Sequence, residues 1–201
     1  MHVIGALIFP RFELLDLYGP LEMFGMFPDE FQIRIVAAHP DPVASTQGPR
    51  TAVDDLIGAR DGYDILLVPG GAGTREGVHD RPLLDWIART AASAEITASI
   101  CTGSALLAAA GVLDGRAATT NKLAFDKMIP YGPKTDWKRR ARWVEDGPVF
   151  TASGVSAGTD MSLAVIERLL GPDHAAQAAQ WAEYERNSDP DNDPFAVESP
   201  S

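Results

Sequence analysis

Cysteine is nearly absent from this chain: 201 residues contain one, Cys101. No intrachain disulfide is possible, which excludes a disulfide-stapled scaffold and fits a reducing compartment. Histidine is also scarce. His2, His39, His79 and His174 are scattered without ligand spacing, so no metal site is expected, and no other cofactor. Basic charge is in short supply: 17 Lys and Arg face 28 Asp and Glu, a net charge of -11. That balance argues against a broad nucleic-acid footprint. The one basic run, Lys138, Arg139, Arg140 and Arg142, reads as a solvated edge. The opening residues MHVIGALIFP have no basic n-region, and no apolar stretch is long enough to span a bilayer. A cytoplasmic location with no membrane partner is expected. Internal repeats and linkers are lacking too. One domain is expected over residues 1–185, followed by a tail, 186–201, rich in Asp, Pro and Ser. Such a tail is disordered unless it docks.

What is present is an alternation of short apolar runs with helical patterns. Strands are expected at 3–9, 31–37, 63–68 and 96–100. The run YDILLV at 63–68 has the continuous apolar character of a strand buried on both faces. Short strands or turns are expected within 43–53, and a short strand at 117–120. A hairpin is expected from 142–144 to 149–152, around the turn dipeptide Asp146-Gly147. Helices are expected from Tyr18 to Phe27, then at 82–92, 103–112, 123–128, 156–170 and 174–184. Strands alternating with helices predict an α/β fold, with a mainly parallel sheet covered on both faces.

In such sheets ligands bind beyond the carboxyl ends of the strands. Three loops follow those ends: 10–20, 69–77 and 101–104. The last holds Ser99-Ile100-Cys101-Thr102-Gly103-Ser104, a cysteine at a strand-to-helix turn among small residues. A nucleophile elbow needs that pattern, because the side chain must project while backbones pass closely. A thiol at a helix start is expected to have a depressed pKa and to be accessible to small reagents. The loop 69–73, Pro-Gly-Gly-Ala-Gly, lacks the Gly-Lys-Ser/Thr of a phosphate loop.

These residues in series, Pro69-Gly70-Gly71-Ala72-Gly73, Ile100-Cys101-Thr102-Gly103 and Ala118-Thr119-Thr120, resemble the DJ-1/PfpI superfamily over about residues 3–185. Leu15-Asp16-Leu17-Tyr18-Gly19-Pro20 and Gly154-Val155-Ser156-Ala157-Gly158-Thr159-Asp160 are similar to its isocyanide hydratase-like branch. The resemblance implies a flavodoxin-like three-layer sandwich with a nucleophile elbow, assembled as a homodimer. It implies Cys101 as nucleophile, with the N–H groups of Gly71 and Thr102 holding a developing anion; Gly70 and Ala72 are close alternatives to Gly71. Trp137, Trp143 and Trp181 are candidate interface anchors, with core packing as the competing role.

By the same resemblance Asp16 is the acid and base, its pKa raised by an apolar pocket; a helix cap or a solvated carboxylate is the simpler alternative. Glu22 is the rival carboxylate. A Cys-His hydrolase needs a histidine. Many superfamily members carry one directly after the cysteine, where this chain has Thr102, or after Ala-Thr-Thr, where it has Asn121. His79, in the loop after the glycine run, is the histidine best placed to approach. These departures argue against a peptidase. The leading expectation is an enzyme adding water to a small electrophile through a thio-adduct, an isocyanide giving an N-formamide, with Thr102 orienting the reactants. The alternatives are a glyoxalase-type enzyme acting on small glyoxals, and a non-enzymatic cysteine oxidation sensor or small-molecule-binding protein.

Overall fold

The computed structural model describes residues 1–60 and 62–196. The chain runs β1 (His2–Leu7), α1 (Leu14–Gly25), β2 (Phe31–Ala37), β3 (Val43–Ala44), β4 (Arg50–Thr51), β5 (Asp55–Leu56) and β6 (Ile65–Val68). It continues through α2 (Thr74–Gly77), α3 (Arg81–Ser93), β7 (Ile96–Ile100), α4 (Gly103–Ala109), β8 (Ala117–Ala118), α5 (Phe125–Met128) and β9 (Asp136–Trp137). The hairpin β10 (Trp143–Asp146) and β11 (Val149–Ala152) precedes α6 (Ala157–Leu170) and α7 (Pro172–Trp181).

Seven strands form one sheet in the order β10-β11-β7-β6-β1-β2-β5. Every neighbouring pair is parallel except the β10–β11 hairpin. Ile4 pairs with Ile65 and Ile65 with Ile96, so the central strands stack their branched side chains in register. All residues of β6 and β7 are buried, as expected for parallel strands covered on both faces. Helices α1, α6 and α7 pack together as one layer, and α2, α3 and α4 as another. Sheet and helices together make an α/β sandwich of flavodoxin-like type.

Local chemistry explains the boundaries. Asp80 caps α3 by accepting the Leu83 N–H at 3.2 Å, with proline in its first turn. Gly171, at φ 93°, ends α6, and Pro172 opens α7. The β10–β11 turn forms where expected, with Gly147 at φ 62°.

Several expectations need correction. Helix α1 begins at Leu14, four residues before Tyr18, and carries Pro20 in its interior. Proline there has no N–H for the carbonyl of Asp16, a loss the buried face of α1 offsets. Of the segment 117–120 only Ala117 and Ala118 form a strand, and they pair with β9 in a separate two-stranded sheet, not with the main one. Strand β5, two residues long, is too short to leave a periodic signal. The basic run is not a solvated edge throughout: Arg142 is buried, held by Asp160. Trp143 lies in the core, and Trp137 is half-buried beside Phe125. Of the three candidate anchors only Trp181 is exposed. The segment 187–196 lies against the body of its own chain, with Pro190 O accepting the Arg142 N–H at 2.7 Å. The tail beyond residue 196 falls outside the described residues.

Candidate active site at the cysteine elbow

Cys101 directly follows β7, at φ 56°. A side chain with positive φ costs roughly 1–2 kcal/mol, so neighbouring bonds must hold it. They do so at both ends of the residue. The Cys101 N–H donates to Ser153 O at 2.8 Å. Its carbonyl accepts the hydroxyls of Ser104 at 3.1 Å and Thr120 at 3.0 Å. The Ala118-Thr119-Thr120 segment therefore bears on the elbow through a bond to its backbone.

Cys101 is buried, the residue being 7% exposed. The thiol is pushed up to about 12, first by burial and then by the carboxylate of Asp16. The N–H groups of Thr102 and Val155 and the side chain of Asn121 pull the other way. The expected depressed pKa is thus overturned. Desolvation and a nearby negative charge outweigh these three donors, of which only the Thr102 N–H belongs to the helix start.

Asp16 sits in the first turn of α1 and is fully buried. Its Oδ2 accepts the Gly70 N–H at 2.9 Å, while Oδ1 has no hydrogen-bond partner among the described residues. Burial raises this carboxyl to about 7; the Gly70 N–H opposes that, Glu13 adds to it, and Cys101 lowers it slightly. Neither alternative for Asp16 holds: it is not solvated, and α1 starts before it with Glu13 at the cap. Glu22, the rival carboxylate, is exposed and does not join the site.

The glycine loop is fitted to these two residues. A Cβ on Gly70 would lie 2.6 Å from Thr102 N and 2.9 Å from Asp16 Oδ2. Close approach, rather than a turn alone, requires glycine there. The Gly71 N–H donates to Thr102 Oγ1 at 3.0 Å, and Thr74 Oγ1 lies 3.1 Å from the same hydroxyl. The N–H groups of both Gly70 and Gly71 are therefore committed to side chains, which corrects their expected role as anion holders. The Ala72 N–H makes no such bond among the described residues. The hydroxyl of Thr102 anchors the loop, while its N–H faces the sulfur.

Two further groups complete the thiol's surroundings. Asn121 accepts the Ala124 N–H through Oδ1 at 3.0 Å, and Gly154 leaves room for its amide nitrogen. It occupies the position where a histidine was missing from the sequence, and supplies an amide to the sulfur in its place. Val155, at φ 36°, turns its N–H toward the thiol. No side-chain chemistry marks Val155 in the sequence; only the preceding glycine hints at an unusual backbone. His79 is exposed against Tyr131 and is not among the groups facing the sulfur. Two clefts, of about 530 and about 650 Å³, lie elsewhere and do not include Cys101. Volume alone does not locate the chemistry here; the thiol is buried, against the expected accessibility.

Known proteins share this fold. The DJ-1/PfpI family model matches residues 3–168. Isonitrile hydratase of Pseudomonas putida is 36% identical over 96% of this chain and 86% of its own. The transcriptional regulator CdhR of Pseudomonas aeruginosa is 28% identical over 87% of this chain, but over only 52% of its own length. Among solved structures, a ThiJ/PfpI family protein from Pseudomonas syringae superposes with a TM-score of 0.84 at 32% identity, covering 92% of this chain and 76% of that one. Drosophila melanogaster DJ-1beta shares the fold, with a TM-score of 0.81 over 92% of this chain and 98% of its own at 16% identity. With the elbow, the glycine loop and the parallel sheet in their expected places, the chain belongs to the DJ-1/PfpI family.

Proposed function

We propose that this protein hydrates small isocyanides to N-formamides, with Cys101 as nucleophile and Asp16 as the group that carries protons. The observation that supports this best is the pairing of a buried thiol with a buried carboxyl poised near neutrality, with no histidine among the groups facing the sulfur. At neutral pH the thiol keeps its proton, and the carboxyl, raised to about 7, is placed to take it. The similarity to isonitrile hydratase points to the same substrate class.

Cys101 Sγ bonds to the terminal carbon of the isocyanide while its proton passes through Asp16 to that same carbon. This leaves a thioformimidate, R–N=CH–S, on the protein. Water then adds its oxygen to the carbon, Asp16 taking one proton and returning it to nitrogen. Collapse breaks the carbon–sulfur bond, releases R–NH–CHO, and sends the remaining hydroxyl proton to sulfur. One water is consumed. The N–H groups of Thr102 and Val155 and the Asn121 amide stabilise the sulfur when it bears charge. Thr102 acts through its backbone, while its hydroxyl positions the glycine loop.

A thiol held near 12 is poorly suited to spontaneous oxidation, which requires thiolate. That weighs against the sensor reading. The assay is formation of N-formamide from a simple alkyl isocyanide, run beside methylglyoxal. The unsubstituted protein is expected to produce formamide, and Cys101→Ala none. Turnover of methylglyoxal alone would transfer the same pair of residues to glyoxalase chemistry.

A further inference from the structure

The segment 187–196 crosses the edge of the sheet and completes a buried charge cluster. Arg142 is 5% exposed, Asp160 0% and Asp193 3%. Arg142 Nε donates to Asp160 Oδ2 at 2.7 Å, and its Nη1 lies 3.7 Å from Asp193 Oδ1. Tyr184 Oη and the Asn187 N–H donate to the other oxygen of Asp160 at 3.0 and 2.9 Å. Lys122, also buried, donates to Thr119 Oγ1 and Ala141 O. Arg142 thus pairs with two buried carboxylates, and the second, Asp193 of the C-terminal segment, is also the one whose charge favours the buried Lys122 cation. Without it one positive charge is left over in a low-dielectric site, a strongly unfavourable arrangement. Burial already pushes Lys122 down to about 8, and Asp193 is the neighbour that resists this.

This cluster is joined to the nucleophile by a short run of backbone bonds. Pro190 O accepts the Arg142 N–H at 2.7 Å, Arg142 O accepts the Ser153 N–H at 2.8 Å, and Ser153 O accepts the Cys101 N–H at 2.8 Å. The Asp193 N–H fixes the far end of the segment on Arg140 O, also at 2.8 Å. On the other side Lys122 is the next residue after Asn121, which faces the sulfur. Both walls of the thiol well, Asn121 and residues 153–155, therefore hang on Arg142 and Lys122.

We propose that Asp193 is a positioning residue, and that the C-terminal segment acts as a strap holding the strained backbone of Cys101 in its reactive geometry through Arg142 and Ser153. This rests on Cys101 being the nucleophile. The strap touches no reactant; it sets where the sulfur points and how firmly the Cys101 N–H is held.

The test uses the full chain carrying Asp193→Ala, Asp193→Asn or Asp193→Glu, with the exposed Asp191→Asn as a matched change of charge on the same segment. Amide hydrogen exchange and isocyanide kinetics are measured on each folded protein. Asp193→Ala is expected to lower kcat about three- to ten-fold with KM within two-fold, the size of coupling carried by such networks. Exchange is expected to quicken at the Cys101 and Ser153 amides. Asp193→Glu should recover part of both effects, and Asp191→Asn should match the unsubstituted protein. Asp193→Asn keeps the acceptor for the Phe195 N–H, and so gives the same reading should the alanine variant not fold. Faster exchange confined to 140–143 and 187–196, with kcat unchanged, would overturn the proposal and leave a simple staple. The exchange measurement needs no turnover. Absence of formamide from the unsubstituted protein would therefore remove the hydratase reading while exchange at Cys101 still decides the strap.

Discussion

Asp16 and Cys101 occupy one desolvated pocket; burial raises both groups, and the Asp16 carboxylate raises the thiol further. The carboxyl titrates near 7 and the thiol near 12, so the state at neutral pH is a protonated thiol beside a carboxyl able to accept its proton. Iodoacetamide alkylation of Cys101 should accordingly show its inflection above the free-thiol value of about 8.5. In Asp16→Asn the inflection should fall, because the charge that disfavours the thiolate is gone. An inflection below 8.5 in the unsubstituted protein would mean that the donors around the sulfur outweigh its burial. Asp16 also leaves a mark on stability. Its folded pKa lies above the ordinary 3.8, so the folded protein holds an extra proton between about pH 4 and pH 7. Stability is therefore present below that window and lost as pH rises through it, by an amount on the order of a few kcal/mol. Asp16→Asn removes the cost of ionisation and keeps an oxygen for the Gly70 N–H. Its melting temperature relative to the unsubstituted protein should be higher at pH 8 than at pH 5. An equal difference at both pH values would mean that Asp16 ionises as freely in the fold as outside it.

At the level of elements, three strand ends build the site: the start of α1 after β1, the glycine loop after β6, and the elbow after β7. The glycine loop has the least freedom, because Gly70 passes backbone to backbone against Thr102. Gly70→Ala should destabilise the fold by about 1–3 kcal/mol, the usual cost of forced overpacking. It should also lower activity by displacing the loop from Asp16, as thermal melts and formamide assays together would show. An unchanged melting temperature would contradict so tight a contact. Much of this assembly was legible in the sequence. Small residues flank Cys101 because an elbow needs them, and Asp16 stands out as a carboxylate among leucines. What stayed hidden involves groups without side-chain chemistry, or contacts between distant segments. The Val155 N–H is invisible in a sequence. The Gly71 N–H looked available, yet Thr102 takes it. Arg142 looked solvated because Asp160 and Asp193, which bury it, lie 18 and 51 residues away. The thiol pKa was misjudged because a helix start could be read from the sequence, whereas the depth of burial could not.

At the scale of the whole molecule, one helical layer carries exposed apolar side chains. Leu15 and Tyr18 on α1 and Trp181 on α7 are exposed apolar side chains on helices that share one layer. With Trp137 and Trp143 turned to packing within the chain, that layer is the face expected to form a homodimer. Sedimentation equilibrium at micromolar concentration should give twice the monomer mass; a monomer would remove the expectation. As the proposed base, Asp16 receives the Cys101 proton, so only its ionised form starts the reaction. The most direct measurement is kcat/KM for formamide formation from an alkyl isocyanide between pH 5 and pH 9, on the unsubstituted protein and on Asp16→Asn. The rate should rise with pH through an inflection at about 7, and the folded variant should lose turnover. A flat profile, or full activity in Asp16→Asn, would contradict it.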